Sequence, residues 1–492
     1  MEGQTGFDFA RELPEKLRTR FYIDGEWVRP ASERRNALID CVTEDVMMEM
    51  PEAGRADIDA AVRAARRTFD DGAWPRLAPA ERGAYLKRIA DEMRKREPLF
   101  RRVWTAQIGA PISFSTMLTP TAIELFDYYA DLVQHHAFDE ERRTASGAKV
   151  HVVSEPVGVV GLITPWNAPL ILLSYKVAAA LAAGCTIVAK ASPETPLDAQ
   201  LLAECIEAAG VPPGVFNLIH GGRETGAELV GRPELDKISF TGSTAAGKAI
   251  AAACAERLAR VDLELGGKSA AIVLDDADIS TALQTIVPFS MPFNGQICFS
   301  LTRVLVPNRR RDDFVAAYVD AVNAMQVGDP ADPHTQIGPL AMKRQLERVL
   351  GYIERGRAEG ATLAAGGARV PGRERGFFVQ PTVFTNVSND MMIAREEIFG
   401  PVVSVIGYDD EDDAVRIAND STYGLSGAVF TADAERGYAL ARRVRTGNLS
   451  INGLTVDAGI PFGGYKQSGL GRQGGIEGLK GYLECKAVYM HS

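Results

Sequence analysis

Apolar and polar positions alternate from Phe21 to Val28 around an Asp24-Gly25 pair, which predicts a short hairpin. Two amphipathic stretches follow, Ala56 to Asp70 and Pro79 to Arg96, bounded by glycine or proline. Both read as helices. From Glu155 the rhythm changes. Apolar runs at Val157–Thr164, Cys185–Ala189, Val215–Ile219 and Lys237–Phe240 predict strands, and the segments Leu173–Ala183, Leu197–Ala209, Glu224–Val230 and Thr244–Ala259 predict helices. Alternation at this spacing builds a parallel sheet covered on both faces, and such sheets bind ligands beyond the carboxyl ends of their strands. A second series, from Ser269 to about Tyr465, is long enough for an α/β core of its own. Two segments fit neither series: Asp139 to Val153 and the tail after Gly481. They are candidates for an oligomerisation arm or for surface excursions.

Composition narrows the class. The 492 residues are 24% charged and 46% hydrophobic, values of an ordinary globular chain with two or three domains. The net charge of −10 is spread along the sequence, which disfavours nucleic acid as a partner. No apolar run reaches the ~18 residues of a membrane span, and Met1 to Arg20 lacks the apolar core of a secretory signal. The six cysteines are scattered without a Cys-x-x-Cys pair. This fits a reduced, cytoplasmic protein in which one thiol is chemical and the others pack. The histidines form one adjacent pair, His135-His136, and no His-Glu-x-x-His, so no metal site is expected.

Four short motifs carry candidate chemistry. Phe240-Thr-Gly-Ser243 sits where a strand hands over to a helix. Gly242 permits a tight turn, and Ser243 with the first free amides of the helix can face a phosphate, although a plain strand–helix turn reads the same way. Glu264-Leu-Gly-Gly-Lys268 is a carboxylate with a hinge behind it, or a solvated turn. Phe293-Asn-Gly-Gln-Ile-Cys298 places a cysteine in a polar turn, as nucleophile or as a small packing residue. Thr164-Pro-Trp-Asn167 leaves an amide just past a strand end, to donate to an oxyanion or to cap the next helix.

Together, and in this order, these motifs resemble the aldehyde dehydrogenase superfamily of the hydrolytic, NAD(P)-dependent type. Lys190, Glu397-Ile-Phe-Gly-Pro401, the Pro461-to-Gly469 segment and the spacing of 34 residues between Glu264 and Cys298 carry the same likeness, which runs from about Tyr22 to the C-terminus. The resemblance implies an α/β fold. A Rossmann-like cofactor domain would occupy residues 1–130 and 154–262, an α/β catalytic domain 263–466, and an oligomerisation arm 131–153 and 467–492. It also implies a homodimer or homotetramer.

The resemblance further implies oxidation of an aldehyde to its acid. Cys298 would attack the aldehyde, Asn167 and the backbone amide of Cys298 would hold the oxyanion, and Glu264 would activate the water that hydrolyses the thioester. Lys176 would relay protons or form an ion pair. NAD is the implied cofactor, with NADP as the alternative. Ile163, Thr164, Pro165 and Trp166 would contact it through backbone, Lys190 would bind the adenosine ribose, and Gly222 and Gly226 would admit the adenine. Phe240, Gly242, Ser243 and Leu265 would lie along the pyrophosphate turn, with Glu397, Phe399 and Gln345 at the nicotinamide ribose.

Two positions depart from the family pattern. Pro193 stands three residues after Lys190, where NAD-preferring members often place a glutamate, and Glu194 follows one later. Ile476 stands where some members carry a second candidate base. Ala168, Leu172 and Tyr175 share a helical face and, with Phe293, Ile297 and Phe299, would wall a tunnel for a medium-sized apolar or aromatic aldehyde. Two other readings compete: an acylating relative that passes the thioester to coenzyme A, against which Glu264 speaks, and a catalytically silent structural relative.

Overall fold

The computed structural model describes residues 7–490; the outermost residues of the expected cofactor domain and arm, 1–6 and 491–492, lie outside that range. Its largest sheet has eight strands. Five are parallel and central: Arg260–Glu264, Lys237–Thr241, Val159–Ile163, Thr186–Ala191 and Phe216–His220, in that spatial order. The hairpin Phe21–Ile23 and Glu26–Val28 adds antiparallel strands at one edge. Four of the central strands are buried throughout, as near-continuous apolar runs require when helices cover both faces.

Two separate cores flank this sheet. Helices Pro79–Ile108, Ile112–His135, Pro169–Ala183 and Leu197–Ala208 supply one. Helices Arg55–Asp71, Arg223–Val230 and Thr244–Ala255 supply the other. The second sheet has seven strands: Thr362–Ala365, Thr382–Thr385, Val402–Tyr408, Arg303–Pro307, Ala270–Val273, Gly427–Phe430 and Ser450–Ile451. All but the first run parallel. The third sheet, Leu483–Tyr489, Lys149–Pro156 and Asp139–Arg143, is antiparallel and stands apart.

Segments 131–153 and 467–492 do not all join this small sheet. Residues 131–135 complete the helix Ile112–His135. Gly469–Leu470 pairs with Arg260–Glu264 at the edge of the large sheet, and Leu479 of the helix Gly475–Lys480 is buried in the adjoining core. Only Leu483–Tyr489 of the tail joins the small sheet. Among the described residues no helix is long and apolar enough to cross a membrane.

Arg303 ties the start of the second sheet together. Its buried guanidinium donates to the carbonyls of Lys268, Ile417 and Ala418 and to Asn389 Oδ1, each at 3.0 Å. Arg303→Met keeps the length and removes every donor. Hydrogen bonds from charged groups contribute about 1.5–3 kcal/mol each, so we expect roughly 3 kcal/mol or more of lost stability, read as a lower urea midpoint.

Candidate active site

Carboxyl ends of the parallel strands set the site. Parallel register brings Ile163 beside both Lys190 and Phe240, and Thr241 beside Glu264. Beyond these ends opens a cavity of about 800 Å³, lined by Ile163, Trp166, Lys190, Gly222, Gly226, Phe240 and Ser243. Ser243 caps the helix Thr244–Ala255, accepting from the Ala246 amide at 3.3 Å, and the first turn of that helix faces the cavity through Ala245 and Ala246. The chain approaches closely here. A methyl on Gly247 would strike the Leu265 side chain, and one on Gly242 the Phe240 ring.

Lys190 donates to the Gly221 carbonyl at 2.6 Å; burial lowers its pKa to about 8, against the pull of Glu194 and Glu52. Glu194 lines the same cavity, tied to Ser192 and Arg344. Arg344, Arg223 and Asn36 also face it, and sequence reasoning singled out none of the three.

The thiol sits where the two large sheets meet. Past Glu264 the chain crosses at Gly266-Gly267 and enters the second sheet at Ala270. The Gly267 amide donates to Glu397 Oε1 at 3.0 Å, and a methyl on Gly267 would strike the carbonyl of Cys298. Burial pushes the Cys298 thiol well up from its ordinary value, helped by Glu397 and Glu264; the backbone amides of Cys298 and Phe299 oppose the rise. Glu264 is also raised well above the carboxylate range by burial, while Lys176 and Arg472 pull it down and Asp262 pushes it up. Its Oε2 is buried and has no hydrogen-bond partner among the described residues. Burial lifts Glu397 to about 7. Lys176 donates to Ser239 Oγ at 3.1 Å, its pKa lowered to about 8 by burial.

Asn167 is held from both ends. Its Nδ2 donates to the Gln296 carbonyl at 2.9 Å, two residues before the thiol, leaving a second N–H. Its own carbonyl accepts from Trp104 Nε1 at 3.0 Å.

Several residues from the sequence reading, Gln345, Glu397 and Phe399 among them, are not in the lining of the strand-end cavity. Gln345 does not line the cavity; its Nε2 donates to the carbonyls of Phe399 at 2.5 Å and Ile398 at 3.2 Å, so it braces the loop that carries Glu397. Arg348 does the same at the Glu397 carbonyl, 2.6 Å away. Phe399, at φ 61°, meets Trp166 edge-on at 5.4 Å. Phe293 packs on Phe114 and Trp104, with ring centres at 6.1 and 6.3 Å, and borders a separate surface groove. The ring is fully buried, and its φ of 44° and that of Asn294, 57°, form the turn before the chain reaches Cys298.

The expected apolar wall gains another member. Phe462 stacks on Tyr175 at 6.5 Å and meets Phe299 at 6.3 Å. Ala168 and Ile297 are buried in the same core, and Leu172 packs against it. The Pro461-Phe462 pair was visible as a motif, but nothing in its spacing marked the ring as a neighbour of Tyr175.

Comparison with known proteins extends this picture. The model of the aldehyde dehydrogenase family matches residues 27–488. Geranial dehydrogenase of Castellaniella defragrans is 45% identical over 95% of this chain and 98% of its own. An aldehyde dehydrogenase of Mycobacterium tuberculosis, solved with NAD⁺, has a TM-score of 0.94 at 44% identity, covering 96% of this chain and 98% of that one. A variant of aldehyde dehydrogenase C of Pseudomonas syringae, solved with NAD⁺ and octanal, has a TM-score of 0.93 at 40% identity, covering 97% of each chain.

Because Gly267 supports the carbonyl of Cys298, Gly267→Ala should push the nucleophile loop aside. Displacements near 1 Å commonly cost about 100-fold in turnover. The expected result is a fall of that order in kcat, with an unchanged far-ultraviolet circular dichroism spectrum.

Proposed function

The chain belongs to the aldehyde dehydrogenase family and is an NAD(P)-dependent enzyme that oxidises aldehydes to carboxylic acids; on that premise we propose that Cys298 and Glu264 carry the chemistry and that the substrate is a medium-sized apolar aldehyde. The observation that carries the reading is a partly exposed thiol packed at the Gly266-Gly267 crossing, directly after a strand that ends on the buried Glu264, whose Oε2 has no partner among the described residues.

The steps follow from these groups. The Cys298 thiol loses its proton to Glu264, which passes it to solvent and returns to the carboxylate, and the thiolate attacks the aldehyde carbon. The free N–H of Asn167 Nδ2 and the Cys298 amide receive the oxyanion. NAD⁺ held by the residues of the strand-end cavity would supply the hydride acceptor. Glu264 then removes a proton from the water that hydrolyses the thioester. A base in this position favours water over coenzyme A as acceptor.

Residues of the strand-end cavity fit a dinucleotide: a helix N-terminus for phosphate, Lys190 for ribose hydroxyls and close-approach glycines between them. Glu194 restores a carboxylate at the ribose end, one position later than the family pattern, and this favours NAD⁺ over NADP⁺. A homodimer or homotetramer accords with the projecting small sheet, where Val488, Tyr489 and Met490 are exposed. A nucleophilic thiol works only when reduced, which favours the cytoplasm.

For the substrate, support comes from the aromatic wall of Tyr175, Phe299 and Phe462 and from the names of the relatives, geranial and octanal both being apolar. Each buried methylene contributes about 0.8 kcal/mol, roughly fourfold. We expect kcat/KM to climb from acetaldehyde to hexanal and benzaldehyde; better turnover of succinic semialdehyde or betaine aldehyde would overturn the pocket reading.

Glu264→Gln should split the half-reactions. One equivalent of NADH should form per site, followed by accumulation of acyl-enzyme visible by mass spectrometry. In the parent enzyme a base with a raised pKa is active only once deprotonated, so hydrolysis should rise with pH through a value above the ordinary carboxylate range. The variant should lose that limb. Unchanged steady-state turnover in Glu264→Gln would move the base elsewhere.

A further inference from the structure

Charge is unevenly shared around the strand-end cavity. Among the described residues that line it, Lys190, Arg223 and Arg344 are basic and Glu194 alone is acidic. Glu194 accepts from Ser192 with one carboxylate oxygen and from Arg344 with the other. One residue earlier, the Asn36 amide holds the Pro193 carbonyl at 2.8 Å, which fixes the turn that presents Glu194.

The two arginines keep most of their donors. Arg344 spends one of its five N–H groups on Glu194 among the described residues, and its side chain is 66% exposed. Arg223 is exposed and has no ion pair among the described residues.

Arg344 comes from the other side of the cleft. It lies 150 residues beyond Glu194, in the first turn of the helix Lys343–Ala358, whose Leu346, Val349 and Ile353 pack into the core of the second sheet. That first turn carries Lys343 and Arg344 and no acidic residue. Cations there oppose the helix dipole, which carries positive charge at this end. Helix stability therefore gives no reason for Arg344, whereas the cavity it reaches does.

Ribose hydroxyls need no such surplus of positive charge. A 2′-phosphate does, since it brings about 1.5–2 negative charges at neutral pH. A guanidinium matches its oxygens with paired N–H bonds. An unpaired Glu194 would repel that group, but Arg344 offsets its charge and stands beside it with donors to spare.

We propose that Arg344 admits NADP⁺ as a second cofactor by masking Glu194 and binding the 2′-phosphate together with Arg223. The proposal rests on the strand-end cavity being the dinucleotide site. Glu194 sets a preference for NAD⁺, and Arg344 limits it. Cofactor choice is then decided jointly by residues from both sides of the cleft, one of them far outside the segment that follows Lys190.

The test uses 5′-AMP and adenosine 2′,5′-bisphosphate, which differ by the 2′-phosphate alone. Both are titrated calorimetrically into the whole enzyme without aldehyde. The parent should bind the two within about tenfold of each other. In Arg344→Gln the ratio of bisphosphate to 5′-AMP affinity should fall about tenfold or more, as loss of a charge-assisted hydrogen bond requires. It should rise in Glu194→Gln, and Arg344→Lys, which keeps the charge without the fork, should fall between parent and Arg344→Gln. With hexanal, the ratio of kcat/KM for NADP⁺ over NAD⁺ should move the same way in each variant. An affinity ratio in Arg344→Gln within about twofold of the parent's would overturn the proposal, because an exposed pair of purely structural role weakens both fragments alike. A wider gap against the bisphosphate in the parent would also overturn it. Binding of neither fragment would show instead that the cavity is not the dinucleotide site, and the proposal would fall with that reading.

Discussion

The parallel register between Lys237–Thr241 and Arg260–Glu264 is the constraint on which the rest of the structure depends. It faces Phe240 toward the cofactor cavity and Glu264 toward Lys176, and it ends both strands at the height where Ile163 and Lys190 also end. A slip of one residue would turn every side chain of one strand to the opposite face. A slip of Arg260–Glu264 would set Glu264 among Ile238 and Phe240 in an apolar core, and a slip of Lys237–Thr241 would turn Phe240 to the face that Lys176 reaches. With the register held, the short crossing at Gly266-Gly267 has only one place to arrive: beneath Cys298, with Glu397 reaching back to meet it.

Much of this was legible in the sequence, for physical reasons. Alternation of apolar runs with helical segments announces a parallel sheet because buried strands need apolar residues on both faces. Accordingly the strands from Val159 to Thr241 fall where the runs predicted them. Cys298, Glu264 and Asn167 sit at turns after such elements, where side chains escape the core. The residues least legible are those whose direction depends on distant contacts. Phe293 and Asn294 both adopt positive φ, which no periodicity reveals. Gln345 was expected at the ribose, yet its amide is spent on the carbonyls of a loop more than fifty residues away. Phe462 joins Tyr175 only through the fold, and the strand Gly469–Leu470 is too short to carry a pattern.

Burial governs the electrostatics of the centre as much as neighbours do. Glu264 and Lys176 are buried and Cys298 and Glu397 partly so, and for each the largest influence is desolvation, which favours the uncharged form. Acids are raised and the amine lowered, so the carboxyls and the amine draw together while the thiol moves away from both. Protons then move between carboxyls and amine at small cost, and the thiol depends on a base beside it to ionise.

The same burial bears on how the protein survives its surroundings. Peroxides and alkylating electrophiles attack thiolates far faster than thiols. A Cys298 held neutral is therefore a dormant target until the pocket fills, while Cys485, exposed on the small sheet, meets such reagents first. Oxidative damage should thus be unevenly shared, falling on a dispensable surface sulfur before the one that matters.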